Sequence, residues 1–218
     1  PLCRTMAQGQ KRKGEVKENN MRYTGPRDRL SRRTGVDLFG KGAKLTRLAV
    51  LPGQHGPKGA RKLSEYGRQL KEKQKVRFIY GLTEKQLEKY MGQAQKSKEN
   101  TGEALLQLIE RRLDNVVYRL GFAPTRAAAR QLVSHRHILV DGKKVNIPSY
   151  QIQIGQTLTL DDKAQNIPEI KKAVALDISN MKSWLERKAI VGKVANLPKR
   201  EDISEPISEQ DVIEYYSR

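Results

Sequence analysis

Cysteine, aromatic residues and long apolar runs are all scarce in this sequence. Its one cysteine, Cys3, excludes an intramolecular disulfide and a metal site built from a cysteine cluster. No stretch approaches the roughly 18 apolar residues of a membrane helix, and the first twenty residues lack the apolar segment of a signal peptide. Aromatic residues make up only 6% of the chain and hydrophobic residues 37%. We therefore expect a soluble, intracellular protein with a modest core under a large charged surface.

Acidic residues are also few relative to basic ones. The 218 residues include 43 Lys and Arg against 24 Asp and Glu, for a net charge of +19. Residues 1–100 hold 25 basic and 9 acidic residues, whereas residues 101–218 hold 18 and 15. Solubility alone would not need this asymmetry, and the basic stretches lack the apolar faces of helices that lie on membranes. The charge therefore favours nucleic acid as the partner.

Capping signals predict two helices in the first half of the chain. Ser64 is a suitable N-cap for a helix that runs to Tyr80 and ends at Gly81. Thr83 and Gln86 have the spacing of a capping box, which opens a second helix. Residues 22–62, by contrast, are rich in Gly, Pro and Arg and poor in apolar residues. Such a segment depends for its order on what it binds.

The second half predicts a compact α+β unit. Apolar residues recur at helical spacing from Leu105 to Leu120, which predicts one helix ended by Gly121. Thr125 caps a short helix over residues 126–134. Asp141-Gly142 predicts a type I′ hairpin. Two further short strands are expected at residues 152–154 and 158–160, and another helix from residue 168. The last residues, DVIEYYSR, predict a terminal strand or helical turn that docks onto an earlier domain.

The short helix after Thr125 carries a candidate phosphate-binding face. Arg126 and Arg130 are four residues apart, and we expect them to be exposed on the side opposite Ala128 and Leu132. The face continues through residues 135–136 and the hairpin lysines, at a spacing that matches successive phosphates.

The run ERRLDNVVYRLGFAPTRAAARQLVSHRHILVDGKKVNIPSY, residues 110–150, resembles an RNA-binding module named after the fourth small-subunit ribosomal protein. RYTGPR (22–27), LPGQHG (51–56), residues 64–86 and 101–122, LPKRED (197–202) and EYYSR (214–218) follow in the family's order. The chain therefore resembles the bacterial or organellar small-subunit ribosomal protein four family over residues 21–218.

The resemblance implies an α+β fold in which a mostly helical, discontinuous first domain accompanies a small module of two helices and a short antiparallel sheet. The expected limits are a flexible extension at 1–20 and a helical domain at 21–99 completed by 179–218. The module domain is expected at 100–178, with the RNA-binding module proper at about 111–175.

The function implied is that of a non-enzymatic constituent of the small ribosomal subunit. Such a protein is a primary binder of 16S-type rRNA, nucleates assembly of the subunit body and contributes to translational accuracy. It lies near the channel through which mRNA enters, beside small-subunit proteins three and five. A bacterial cytoplasmic ribosome is expected, or that of a plastid or mitochondrion, with no membrane, cofactor or metal. The alternative is an RNA-modifying enzyme or a tRNA-binding accessory factor.

Basic, aromatic and polar side chains of both domains are the expected rRNA contacts. They are Arg22, Tyr23, Arg27, Arg29, Arg32, Arg33, Gln54, His55, Lys58, Arg61, Lys62, Tyr66, Arg68, Lys71, Lys73, Lys75, Arg111, Arg112, Arg126, Arg130, Ser134, His135, Arg136, Lys143 and Lys144. The candidates for contact with mRNA are Lys41, Lys44 and Arg47.

Several residues have competing interpretations. Asp28 and Ser31 stand where many relatives carry zinc-binding cysteines, so we expect a zinc-free form. His135 and His137 suggest RNA or packing contacts rather than a metal site. Gly53 and Gly56 either cradle phosphate or form turns.

An Arg-Leu-Asp run at residues 112–114 resembles the surroundings of the catalytic aspartate in pseudouridine synthases. The residues that follow differ from that family and continue an amphipathic helix. We therefore expect Asp114 to form an ion pair with Arg111 or Arg112 rather than to act in catalysis.

Overall fold

A computed structural model describes residues 23–59, 62–98, 100–175 and 182–217. The helices in this part of the chain are α1 (Arg27–Thr34), α2 (Glu65–Tyr80), α3 (Glu84–Ala94), α4 (Thr101–Glu110), α5 (Leu113–Arg119), α6 (Arg126–Ser134), α7 (Asp162–Gln165), α8 (Pro168–Ala175) and α9 (Glu209–Tyr216). The strands are β1 (Ile138–Val140), β2 (Lys143–Lys144), β3 (Thr157–Leu160), β4 (Leu185–Lys188) and β5 (Val191–Val194). Short 3-10 turns occupy Gly42–Lys44, Gly56–Lys58 and Arg200–Asp202. The predicted α+β class is confirmed. None of the helices described combines the length and apolar character needed to cross a bilayer.

The predicted limits of α2 and the predicted start of α3 are confirmed by their caps. Ser64 Oγ accepts a hydrogen bond from the Gly67 amide at 3.2 Å. At the other end of α2, Gly81 adopts the left-handed conformation with φ of 63°. Thr83 and Gln86 form the reciprocal capping box, with bonds of 3.2 and 3.4 Å.

The single helix predicted through Leu105 and Leu120 is wrong, because the chain breaks between α4 and α5. Arg112 is extended, with φ of −64° and ψ of 137°. The Leu113 amide bonds to the Tyr150 carbonyl at 2.9 Å, outside the helix. The apolar spacing continues across the break, although α4 buries its apolar face in one core and α5 in another. The spacing alone does not indicate that the helix is interrupted.

All pairings in the sheet are antiparallel, in the order β2-β1-β3-β5-β4. The predicted hairpin is confirmed, since Asp141 and Gly142 have φ of 49° and 78°, as a type I′ turn requires. The strand predicted at 158–160 is present within β3. The strand predicted at 152–154 is wrong, because Ile152 is buried while Ile154 is 54% exposed and neither belongs to a strand.

Two apolar cores organise the described residues. The helical core is formed by α1, α2, α3, α4 and α9, and its buried residues include Val76, Leu87, Leu105 and Val212. The module core joins α5, α6, α8 and the sheet, with Trp184 buried within it. The C-terminal residues form a helix, α9, that packs against α2 and α4.

The packing differs from the predicted domain limits in two places. α4 belongs to the helical core, whereas the sequence predicts residues 100–178 to be part of the module. β4 and β5 extend the module's sheet, whereas the sequence predicts residues 179–218 to complete the helical domain. α4 packs against its chain neighbour α3 and against the distant α9, and β5 pairs with β3, about thirty residues earlier in the chain.

Candidate nucleic-acid interface

A large group of the predicted RNA-binding residues points outward. Among the predicted contacts with rRNA and mRNA, we call outward set those cationic side chains that form neither a salt bridge nor a side-chain hydrogen bond within the described residues. They are Arg27, Arg29, Arg33, Lys44, Arg47, Lys58, Lys62, Lys71, Arg136 and Lys143, of which Lys71 is half-buried and the others exposed. Seven of these ten belong to the segments around α1 and before α2. A cluster of cations without counter-charges is suited to bind a polyanion.

The start of the described chain adds an aromatic group to this surface. Tyr23 is 45% exposed, and its ring lies 6.1 Å from that of Phe78. Gln54 and His55 are exposed in the turn before the second 3-10 element. Tyr66 is exposed at the start of α2, where its ring lies 5.8 Å from that of Tyr215.

The module contributes a second outward region at the C-terminal end of α6. Ser134, His135 and Arg136 are exposed, and Arg136 has a left-handed φ of 62°. Its amide bonds to the Val133 carbonyl at 3.0 Å, which places Arg136 where a glycine normally ends a helix. The rings of His135 and His137 lie 6.1 Å apart.

Some predicted contacts are accessible but already engaged. Lys41 pairs with Asp28. Arg68 pairs with Asp211, and Lys144 with Asp161, at 3.1 Å each. Surface pairs of this kind contribute little stability and can exchange for a phosphate.

Three partly covered arginines bind carbonyl groups of the protein. Arg32 bonds to the carbonyls of residues 50 and 51. The Arg111 guanidinium donates to the Ile152 carbonyl at 2.9 Å, and Arg130 donates to the Gly81 carbonyl at 3.0 Å.

Three predicted RNA contacts are instead buried, which corrects their assignment. Lys73 is 4% exposed and pairs with Glu84 at 2.6 Å. Lys75 is 7% exposed and pairs with Glu72 at 2.6 Å. Arg112 is 1% exposed. Removing a cation from water is costly, and each of these three cations is compensated by a paired carboxylate inside the protein. They are therefore not available to bind a ligand.

The expectation that Arg126 is exposed is also wrong. Its guanidinium pairs with Glu205, bonds to Asn115 Oδ1 at 2.9 Å and lies over the rings of Tyr80 and Tyr118. The reason is geometric. The buried residues of α6 are Ala129 and Val133, which are three and seven positions after Arg126 and so share its side of the helix.

Arg126 belongs to an ionic network that joins the two cores. Arg119 donates to Glu110 Oε1 at 2.7 Å and to Glu205 Oε2 at 2.8 Å. The Tyr80 hydroxyl donates to Glu110 Oε1 at 2.7 Å. Tyr80 and Glu110 come from the helical core's elements, whereas Arg119 and Arg126 come from the module. Sequence reasoning missed this network, because Glu205 lies 86 residues from Arg119.

The network shifts the pKa values of Glu205 and Tyr80. Burial raises the pKa of Glu205, but Arg119 and Arg126 outweigh it and lower the pKa to about 2. Burial, and then the neighbouring Glu110, raise the pKa of the Tyr80 hydroxyl well above its ordinary value. Glu205 therefore remains ionised and Tyr80 neutral at physiological pH.

Asp114 forms the predicted ion pair with Arg112. Its two carboxylate oxygens accept bonds from the guanidinium at 3.1 and 2.7 Å, while Arg112 Nη1 donates to the Tyr90 hydroxyl at 2.8 Å. Burial lowers the pKa of Arg112, but Asp114 raises it and the net shift is upward. Both oxygens of Asp114 are thus committed to a structural role.

Ser31, Gly53 and Gly56, which have competing interpretations in the sequence, all make contacts within the protein. Ser31 is buried, and its hydroxyl accepts a hydrogen bond from the Leu38 amide at 3.4 Å. The Gly56 amide bonds to the Gly53 carbonyl at 3.1 Å. A Cβ on Gly56 would lie 1.9 Å from the Leu51 carbonyl oxygen, so this glycine permits a close backbone approach. Arg22, Arg61 and residues 1–20 lie outside the described residues.

Comparison with known proteins gives a consistent result along the chain. Residues 22–110 match the ribosomal protein S4/S9 N-terminal domain, and residues 111–158 match the S4 domain. The chain is 51% identical over 199 residues to small ribosomal subunit protein uS4 of Parabacteroides distasonis, and 50% identical over 200 residues to that of Limosilactobacillus reuteri. It is 51% identical over 208 residues to the uS4 of Aquifex aeolicus. Each match covers 90% of this chain and 99% of the relative.

Proposed function

Since the chain belongs to the small ribosomal subunit protein uS4 family, we propose that it is a structural constituent of the small ribosomal subunit and binds 16S-type rRNA. Like its family, it is not an enzyme. The bacterial origin of these relatives supports a bacterial ribosome as its location.

The observation that carries this proposal is the outward set itself, ten predicted contacts without carboxylate partners in the described residues, seven of them around α1 and before α2. The buried cations, by contrast, have their charges compensated by carboxylates. Protein stability explains the buried group but gives no reason for the outward one. Binding of RNA phosphates explains it, and predicts an affinity that falls steeply with salt concentration.

A role as a primary binder that nucleates assembly of the subunit body is supported by the ionic network. Glu110, Arg119 and Glu205 hold the helical and module cores together through a buried contact. The outward cations of residues 27–71 and those of the module, Arg136 and Lys143, are then held in a fixed relation before RNA binds. Preorganisation of this kind lowers the entropic cost of binding a large folded RNA.

We place the segment after α1 near the channel through which mRNA enters, with small-subunit proteins three and five as neighbours. Lys44 and Arg47 support this placement, because both are exposed and form no salt bridge in the described residues. Lys41 has its charge compensated by Asp28. We therefore assign contact with mRNA, and a contribution to accuracy, to Lys44 and Arg47 first.

Sedimentation tests the proposed function. We expect the tagged full-length chain to cosediment with small subunits at one copy each and to persist through a high-salt wash. A protein that is released by the wash, or is present in much less than one copy per subunit, would instead be an accessory factor. Binding to free tRNA in preference to small-subunit rRNA would also contradict the proposal.

A further inference from the structure

A chemically labile dipeptide lies in the turn between β1 and β2. Asp141-Gly142 is the only Asp-Gly pair in the 218 residues, and the chain has no Asn-Gly pair. We propose that Asp141-Gly142 is a site of spontaneous conversion to isoaspartate, and that Gln156 and Thr157 suppress this conversion while the hairpin is paired with β3. The conversion needs no partner molecule, so it is independent of the proposed function.

The reaction requires only the two residues and water. The Gly142 amide nitrogen attacks the carboxyl carbon of the Asp141 side chain and loses its proton, while one carboxyl oxygen leaves as water and a five-membered imide ring closes. Water then opens the ring at either of its two carbonyl groups. One opening restores aspartate, and the other leaves the main chain running through the former side chain, which is isoaspartate. Glycine favours the attack, because no side chain at residue 142 shields the nitrogen.

Both carboxylate oxygens of Asp141 are held by the start of β3. Oδ1 accepts a hydrogen bond from the Thr157 amide at 2.9 Å and another from the Thr157 hydroxyl at 3.1 Å. Oδ2 accepts a hydrogen bond from Gln156 Nε2 at 3.0 Å. Ring closure removes one of these two oxygens as water and turns the carboxyl group toward Gly142. It therefore cannot occur while all three bonds persist.

The charge state of Asp141 acts in the same direction. The bond from the Thr157 amide is the largest effect and lowers the pKa of the Asp141 carboxyl. The bonds from the Thr157 hydroxyl and Gln156, and then the charge of Lys143, lower this pKa further and outweigh a slight desolvation. The attack needs the protonated acid, because a carboxylate oxygen is a poor leaving group. At neutral pH the reactive form is therefore rarer in the hairpin than in an unfolded Asp-Gly pair.

Isoaspartate would disturb the hairpin, because it adds one atom to the main chain of a two-residue turn. β1 and β2 pair Val140 with Lys143, and Leu139 with Lys144. A longer turn displaces both lysines relative to β1. Lys144 would lose its placement opposite Asp161, with which it pairs at 3.1 Å. Lys143 belongs to the outward set, so the modified chain would also misplace one RNA contact; this last consequence rests on the proposed function.

Ageing of the full-length chain at neutral pH tests whether the fold suppresses the reaction. Peptide mapping with electron-transfer fragmentation distinguishes isoaspartate from aspartate at residue 141. We expect isoaspartate to accumulate in the chain unfolded by guanidinium chloride, and to accumulate several-fold more slowly in the folded chain. Equal rates in the two states, or no isoaspartate in either, would overturn the proposal.

Gln156→Glu separates the hydrogen bonds from the general rigidity of the fold. The introduced carboxylate can still accept the bond that the Gln153 amide donates to Gln156 Oε1 at 2.9 Å. It loses the Nε2 donor, however, and places a like charge beside Asp141. We expect isoaspartate to form several-fold faster in this folded variant than in the wild type, at an unchanged melting temperature. Thr157→Val removes one of the two donors to Oδ1 and should have a smaller effect in the same direction.

The matched control is Gln153→Glu, which adds the same charge to an exposed side chain of the same loop. Its rate of conversion should stay close to that of the wild type. If Gln156→Glu reacted no faster than this control, or if the rates simply followed the melting temperatures, the fold as a whole would control the reaction. The assigned role of Gln156 and Thr157 would then be refuted.

RNA titration tests the consequence for binding. Wild-type protein is aged in the unfolded state and refolded, and fresh protein taken through the same refolding is the control. The isoaspartate form should lose about 0.7–0.9 from the slope of log affinity against log salt with the five-prime domain of 16S-type rRNA, since one phosphate contact is misplaced. An unchanged slope would refute the consequence while the conversion stood. Fresh protein that failed to bind would refute the proposed function and not the conversion.

Discussion

Replacement of Glu205 by Gln is expected to destabilise the protein through the contact between its two cores. Glu205 bonds to Arg119 Nη2 at 3.0 and 2.8 Å and pairs with Arg126, and its side chain is 15% exposed. The amide keeps the shape of the carboxylate but loses its charge. Two partly buried guanidinium groups are then left with less compensation, and such groups are costly in a low-dielectric site.

The magnitude follows from the shift of the Glu205 pKa. The pKa falls from an ordinary 4.5 to about 2 in the folded protein. One pKa unit corresponds to about 1.4 kcal/mol, so the ionised carboxylate contributes about 3 kcal/mol to the free energy of unfolding at neutral pH. Loss of one partner from a buried ion pair costs roughly 3–5 kcal/mol, which agrees. In a chain of this size, 3 kcal/mol lowers the melting temperature by about 6–12 °C.

The contribution of Glu205 to the free energy of unfolding depends on pH. Because the folded pKa is depressed, the contribution of Glu205 is fully present above the unfolded pKa of 4.5 and is lost as the pH falls toward about 2. Urea unfolding of wild type and Glu205→Gln at a series of pH values measures the difference directly. It should be about 3 kcal/mol at pH 7 and shrink steadily below pH 4.5.

Glu201→Gln is the matched control, because Glu201 is exposed and forms no salt bridge in the described residues. It should change the free energy of unfolding by less than about 0.5 kcal/mol. If the Glu205 difference were as small as that of the control, or did not change with pH, the network would not hold the two cores together.

Four further predictions concern the surface and the metal content. Arg126→Gln should lower the melting temperature while leaving the salt slope of rRNA binding unchanged; a reduced slope with unaltered melting would reverse its assignment. Arg136→Gly should raise the free energy of unfolding by up to about 1 kcal/mol, because glycine tolerates the left-handed backbone, as melting curves can show. It should also reduce the salt slope of rRNA binding by about 0.7–0.9, as titrations can show. Neutralising Lys44 and Arg47 together should impair translation through a strong mRNA hairpin without preventing subunit assembly, and unimpaired translation would count against their assignment. Elemental analysis should find no zinc in the purified chain, and chelators should leave its rRNA affinity unchanged.

Local signals in the sequence predicted most of the local structure. The Ser64 cap, the capping box at Thr83 and the Asp141-Gly142 turn each depend on a few adjacent residues, and all three are present as predicted. The charge asymmetry likewise predicted a polyanion-binding surface without reference to the fold, and that surface stays a prediction.

What the sequence could not predict depends on contacts between distant segments. The break before α5 is fixed by bonds to residues 148 and 150, which no helical period encodes. Arg126 is drawn inward because Tyr80 and Glu205 approach it from two other parts of the chain. α6 packs its apolar residues into the module core and also contacts Tyr80 and Glu205 through Arg126. The apolar stripe of the helix predicts the first contact but not the second.

Lysine footprinting of the free protein and of its complex with 16S-type rRNA tests the central claim most directly. Four outward lysines, Lys58, Lys62, Lys71 and Lys143, should react with an acylating reagent in the free protein and be protected by the RNA; Lys44 is left out because it is assigned to mRNA. The buried Lys73 and Lys75 should be unreactive in both states, and the exposed Lys171 and Lys172 of α8 should react in both. Protection confined to α8, or no change at the outward lysines when RNA binds, would contradict the account.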